Sequence, residues 1–364
     1  MIDDRPIAGT IAGAGATTVP VPVDPRRDRF LRACRREPVD ATPVWFMRQA
    51  GRALPEYRSI RERASLMEIV ADADLCAEVS LQPVTRLGVD ACIVFADITT
   101  PLPGSGLPVE LHEGIGPVID RPIRSLADLD RFHAFDPEAS VAPLLRAIAT
   151  LARTSPVPVI GFAGAPFTIA AYAVEGRSPR GLETTKTFMR TEPAAWSSLL
   201  ERIVDMDLAY LSAQVAAGAS AVQLFDSWVG ALSPLDYRTH VQPHVKRLFE
   251  GLRALGVPTI HFGTGTAGLL EAMADAGGDV IGLDWRVDLG AAWSRLPGRA
   301  VQGNLDPDVL LGPWPEIERQ VRHVLAGAAG RPGHVFNLGH GVLPSTNPDV
   351  LREVVELVHE ATRS

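Results

Sequence analysis

The chain has 364 residues, 46% hydrophobic and 21% charged, which is enough apolar material for a large buried core and too much for a chain disordered along its whole length. Its 35 basic and 43 acidic residues leave a net charge of −8, which argues against broad electrostatic attachment to nucleic acid or to an anionic membrane surface. Any anionic ligand must then be held by a local basic cluster.

Residues 1–25 carry acidic groups where a signal peptide has a basic start, and Gly, Pro and Thr interrupt the apolar run, so they are expected to form a disordered extension. Residues 26–364 are expected to form one domain. From residue 43 onward, short β-branched runs alternate with helical periodicity, a β/α rhythm. Strands are predicted at 43–46, 91–95, 157–162, 221–225, 258–262, 279–283, 300–302 and 334–337. Between them, Ser65 with Glu68 has the form of a capping box opening an apolar stripe of Leu66, Ile69, Val70, Ala73 and Ala77. Trp196, Leu199, Leu200, Ile203 and Val204 repeat the stripe. Several helices are expected to stop at a glycine just before a strand, at Gly88, Gly218 and Gly256.

Eight such units, most of them apolar on both strand faces, favour a single closed (β/α)8 barrel over an open doubly wound sheet. Residues 98–155 are the longest departure, with a hairpin expected across 114–116 and a helix near 141–151, and they are expected to form an insertion after the second strand. The apolar stretch 154–174 is broken by Pro156, Pro158, Gly161, Gly164 and Pro166, so a strand, a loop and a helix start explain it better than a membrane span. Cys34, Cys76 and Cys92 show no CxxC spacing, which excludes a sequence-evident zinc knuckle and points to core residues in a reducing, cytoplasmic compartment.

A barrel of this kind carries its chemistry on the loops that follow the strands. The first such loop, WFMRQAGRALPEYR, supplies Arg48, Gln49, Arg52 and Arg58, and guanidinium groups pair bidentately with carboxylate or phosphate. Asp97 follows the second strand, Tyr172 the third, Asp226 and Ser227 the fourth, and His340 the eighth. Each has a plainer reading: a surface ion pair of Arg58 with Glu56 or Glu62, a turn cap at Asp97, a backbone bond at His340, packing or capping at Tyr172 and Ser227. Two other chemistries compete. Gly263, Gly265 and Gly268 form G-x-G-x-x-G after a strand, with Asp284 beyond, the pattern of a dinucleotide site. A Schiff-base aldolase needs a lysine at a strand end, and Lys186 and Lys246 both fall in helical stretches.

The segments PVWFMRQAGRALPEYR, FADITTPLP, GFAGAPFTIAAYAVEG, QLFDSWVG, QGNLDP and NLGHGVLP, in order over about residues 43–347, together resemble the successive motifs of the uroporphyrinogen decarboxylase family. That resemblance implies a cofactor-free (β/α)8 barrel without metal, a homodimer, that converts four ring acetates of uroporphyrinogen III to methyls and yields coproporphyrinogen III and CO2. It implies substrate contacts from Arg48, Gln49, Ala50, Gly51, Arg52, Asp97, Tyr172, Ser227 and His340. Asp97 is expected to stabilise developing positive charge on the pyrrole, and Arg48 to deliver the proton. Ala53 stands where the family commonly has an aromatic, and Phe167 where it commonly has tryptophan. The zinc-dependent methyltransferases that share the barrel need a cysteine two residues after a histidine. Here Gly263 follows His261, and no cysteine occurs after Cys92.

Overall fold

A computed structural model describes residues 26–51, 53–112, 116–179 and 181–364. The expected disordered extension, Arg52 and the centre of the expected hairpin turn lie outside these residues. β1 (Cys92–Ile93) leads into a hairpin of β2 (Glu110–His112) and β3 (Gly116–Val118), followed by β4 (Val159–Gly164), β5 (Ala221–Asp226) and β6 (Thr259–Gly263). β7 (Val280–Gly282), β8 (Ala300–Gln302) and β9 (His334–Val335) complete the set. All but the hairpin join one parallel sheet of seven strands in the order β1-β4-β5-β6-β7-β8-β9, with helices between successive strands.

The sheet curls. Gln302 Nε2 on β8 donates to Gln223 Oε1 on β5 at 3.0 Å, although β6 and β7 lie between them. In a flat sheet strands three places apart are separated by about 14 Å, beyond the reach of two glutamines. Trp45 Nε1 extends the same line by donating to Gln302 Oε1 at 3.0 Å.

The predicted first strand, 43–46, is reduced to a single parallel bridge between Val44 and Phe336. The reason lies in Asp90, whose buried carboxylate takes the Val44 N–H at 2.7 Å, a donor that a neighbouring strand would otherwise use. Pro43 has no N–H to offer. Asp90 in turn donates its own N–H to Val44 O, and its carboxylate also binds Arg29 Nη1 (2.8 Å) and His359 Nε2 (2.7 Å). The segment is therefore fastened between β1 and β9 by a side-chain network, with Trp45 N donating to Phe336 O.

Other expectations hold with local changes. Ser65 and Glu68 form both bonds of the capping box, but the stripe that follows is split into Leu66–Ala71 and Ala73–Leu87. Asp72 causes the break, because its Oδ1 caps the second helix at the N–H groups of Asp74 and Leu75. The Trp196 stripe lies buried in helix Pro193–Ala216, and Gly88 and Gly256 end helical segments in the left-handed conformation. The stretch 154–174 resolves into β4 and helix Pro166–Glu175, and no helix among the described residues is long and apolar enough to cross a membrane. The predicted helix near 141–151 is Pro137–Thr154. The three cysteines are buried in the core, where loss of hydration pushes their thiols up, Cys76 to about 12.

Candidate active site

Because the strands of the sheet are parallel, the segments that leave their carboxyl ends gather on one face. β1 delivers Asp97 there, and its exit is braced by Ser80 Oγ, which accepts the Phe95 N–H at 2.9 Å. Asp97 Oδ1 accepts the Thr99 N–H (2.9 Å) and the Thr99 hydroxyl (2.6 Å), which fixes the carboxylate in an Asx turn. Both bonds go to Oδ1, so Oδ2 stays outside the turn.

Arg48 follows the bridged segment and holds a left-handed backbone (φ 61°) that a non-glycine residue adopts at a cost. Its surroundings enforce that conformation: Met47 N donates to Asn337 Oδ1 (3.1 Å) and Met47 O accepts the Val342 N–H (2.8 Å), so the chain is gripped just before it turns. The result is an exposed guanidinium at the mouth. Gln49 has a different part. Only 1% exposed, it accepts the Phe46 N–H and donates to Ala91 O (2.9 Å), which ties the arginine loop to the entry of β1. Ala50 and Gly51 are buried behind it.

Tyr172 lies on helix Pro166–Glu175 and is almost fully buried. Burial pushes its hydroxyl up; the Asp97 carboxylate adds to the shift and the Arg48 guanidinium opposes it. Charges from two separate loops thus converge on one phenol. Trp228 packs edge-to-face on Tyr172 at 6.4 Å, and its backbone N–H donates to Thr168 Oγ1 (3.2 Å). Thr168 in turn donates to buried Asp226 (2.8 Å), so the carboxylate at the end of β5 anchors the wall on which Tyr172 rests. Ser227 lies in that wall, and its carbonyl accepts the Thr264 hydroxyl.

His340 closes the ring between two close approaches. A side-chain carbon on Gly339 would lie 2.2 Å from Trp285 N, and one on Gly341 would lie 2.4 Å from Arg48 Cδ. Only glycines let the loop lie flush against both. His340 packs edge-to-face on Trp285 at 6.2 Å. Burial pushes its imidazole down to about 4, with the Arg48 and Arg286 guanidiniums acting in the same direction, so it is neutral near pH 7.

The structure thus brings Arg48, Asp97, Tyr172 and His340 to one mouth, with Ser227 in its wall. Arg58 stands apart, exposed on helix Pro55–Arg61, and Glu56 pairs with Arg86 instead (3.5 Å). The glycine loop after β6 does not behave as a dinucleotide cradle. Asp284, which that reading would aim at a ribose, accepts the Gly265 N–H and holds Arg286 Nη1 at 2.8 Å. Lys186 and Lys246 both lie within helices, Glu183–Thr191 and Gln242–Leu252, away from any strand end. No group of three or more His, Cys, Asp or Glu among the described residues could hold a metal ion.

A curled parallel α/β sheet with an exposed arginine and a carboxylate held in a turn at its strand ends has the form of a barrel-like enzyme whose site can take an anion. Residues 25–361 match the family described as uroporphyrinogen decarboxylase (URO-D), and the chain belongs to that family. It is similar to uroporphyrinogen decarboxylase of Sorangium cellulosum, with 54% identity covering 93% of this chain and 97% of that one. It is also similar to that of Thermus thermophilus, with 53% identity covering 92% and 98%. Among solved structures a methyltransferase from Methanosarcina mazei shares the fold, with a TM-score of 0.74 at 19% identity over 92% of this chain and 98% of that one.

Proposed function

We propose that this chain decarboxylates uroporphyrinogen III, removing the carboxyl groups of its four acetate side chains to give coproporphyrinogen III and CO2. The observation that carries the reading is the strand-end setting of Arg48, packed against the His340 loop, and of the Asp97 carboxylate held in its turn, in a chain of this family. The substrate bears eight carboxylates and the protein is acidic overall, so the repulsion must be offset by local arginines, for which the first-loop sequence offers Arg48 and Arg52.

In the proposed reaction an acid protonates a pyrrole ring carbon, and the resulting iminium cation takes up the electron pair released as the acetate C–C bond breaks and CO2 leaves. A second proton then reaches the exocyclic methylene carbon, and loss of the ring proton restores the pyrrole. Each cycle thus exchanges one carboxylate for one proton. Asp97 Oδ2 faces the pyrrole N–H groups, centring the macrocycle and stabilising the cation, a contribution of about 3 kcal/mol for one preorganised group in a site shielded from water. Arg48 supplies the proton, directly or through water. Tyr172, Ser227 and neutral His340 contact the substrate, and the Gln49–Gly51 segment positions the arginine loop.

Residues 43–46 are read as the eighth member of a closed barrel, 98–155 as an insertion after its second strand, and 26–364 as one catalytic unit acting as a cytoplasmic homodimer. The Val44–Phe336 bridge and the Asp90 N–H to Val44 O bond support closure. The test of function is an anaerobic incubation of purified protein with freshly reduced uroporphyrinogen III, with no metal or nucleotide added, followed by oxidation and chromatography. Products stepping from eight to four carboxylates are expected. Folded protein that binds the tetrapyrrole and yields no product would replace the reading with that of a carrier.

A further inference from the structure

One more cation stands at the mouth, outside the set that the motifs point to. Arg286 follows β7 and lies beside His340, on the opposite flank from Arg48. The glycines on either side of His340 define this arrangement, Gly341 lying against the Arg48 stem and Gly339 against the Trp285 backbone. Trp285 presents its ring to His340 at 6.2 Å, and the Arg286 guanidinium lies over that same ring, 3.8 Å from its centre.

Arg286 is held without being used up. Asp284 takes Nη1 at 2.8 Å, while its own burial and its bond to the Gly265 N–H fix it in place. A guanidinium has five donors in a planar fork, and among the described residues the remaining Arg286 side-chain donors have no hydrogen-bond partner. The side chain is half exposed, stacked on one face and clamped at one edge, which leaves its remaining donors accessible to a ligand. Such a group has little rotamer freedom left to lose when it binds an anion.

We infer that Arg286 is a further substrate-binding residue, taking one carboxylate of the polyanionic tetrapyrrole on the far side of His340 from Arg48. The inference rests on the uroporphyrinogen reading and adds to it a second cationic contact point, so that the macrocycle is held from two sides of the mouth rather than from the first loop alone. A clamped guanidinium at Arg286 together with that of Arg48 matches carboxylates distributed around a ring better than one cluster does.

The test uses the full chain with Arg286→Gln and Arg286→Lys, titrated with uroporphyrin III by fluorescence quenching at low and high salt, alongside turnover of uroporphyrinogen III. Arg286→Gln is expected to weaken porphyrin affinity about tenfold at low salt, with the gap narrowing as salt rises, and to raise KM with kcat within about twofold. Arg286→Lys keeps the charge and is expected to recover most of the affinity. Unchanged affinity in Arg286→Gln would overturn the inference. So would a loss of equal size at both salt concentrations, which marks a role in bracing the loop. Wild-type protein that neither binds nor converts the tetrapyrrole would instead remove the functional reading beneath it.

Discussion

Two glycine loops at the same mouth show how little a motif means without its neighbours. The loop after β6 carries G-x-G-x-x-G at Gly263, Gly265 and Gly268, yet it folds onto its own scaffold, its Gly265 N–H capped by Asp284. The loop after β9 carries only Gly339 and Gly341, yet each lies against a residue that shapes the mouth, Trp285 in one case and Arg48 in the other. Gly268 and Gly339 differ most plainly in what a side-chain carbon would meet, although one on Gly263 of the first loop would also be close-packed, 2.7 Å from Thr266 Cγ2. At Gly268 it would meet nothing within 4 Å, and at Gly339 it would meet backbone at 2.2 Å.

The largest test of that contrast is a pair of alanines. Gly339→Ala cannot be absorbed by a flexible neighbour and is expected to cost about 3 kcal/mol of stability, together with most of the activity. Gly268→Ala is expected to lie within about 0.5 kcal/mol of the parent, both read from urea midpoints. Equal costs would remove the distinction.

A smaller effect separates the mouth from the interior. His334 is fully enclosed at β9, and burial pushes it down to about 4 from an ordinary 6.5. Its folded pKa lies below its unfolded one, so the unfolded chain binds more protons across that interval and stability falls as pH drops from about 6.5 toward 4. Between pH 7 and pH 5 this group removes about 2 kcal/mol. Urea midpoints of His334→Gln should lack that share of the pH slope, whereas an unaltered slope would place the acid sensitivity elsewhere. His340 contributes in the same direction.

Smallest is the strain at Arg48. Its left-handed backbone should relax in Arg48→Gly, with a gain of about 1 kcal/mol in stability alongside a marked loss of turnover. A loss of both would mean that the packing of the arginine stem outweighs the strain.

Much of this arrangement can be read from the residues alone, and the exceptions have physical causes. Strand 300–302 coincides with β8, and 221–225 falls one residue short of β5, because apolar β-branched runs between glycine stops leave few alternatives. The predicted strand 43–46 fails because a distant carboxylate, Asp90, takes a ladder donor, and no local pattern announces that. The stripe from Leu66 to Ala77 hides a break because Asp72 reads as a solvent-facing residue until its cap bonds are seen. At the mouth, Asp97, Tyr172 and His340 are recoverable from strand ends and motifs. Gln49 shares a segment with Arg48 yet turns inward onto backbone. Arg286 escapes a sequence reading because DWRVD has the form of a surface ion pair, although its place directly after a strand end is the signal that could have found it.

In the proposed reaction Asp97 acts on the reacting ring rather than merely capping its turn. Its most direct test is Asp97→Asn, which preserves shape and can still accept the Thr99 bonds, with uroporphyrin affinity and uroporphyrinogen turnover measured on the same preparation. Affinity within a few-fold of the parent and kcat lower by about 100-fold are expected. Turnover within twofold of the parent would contradict that role and leave the carboxylate a structural cap.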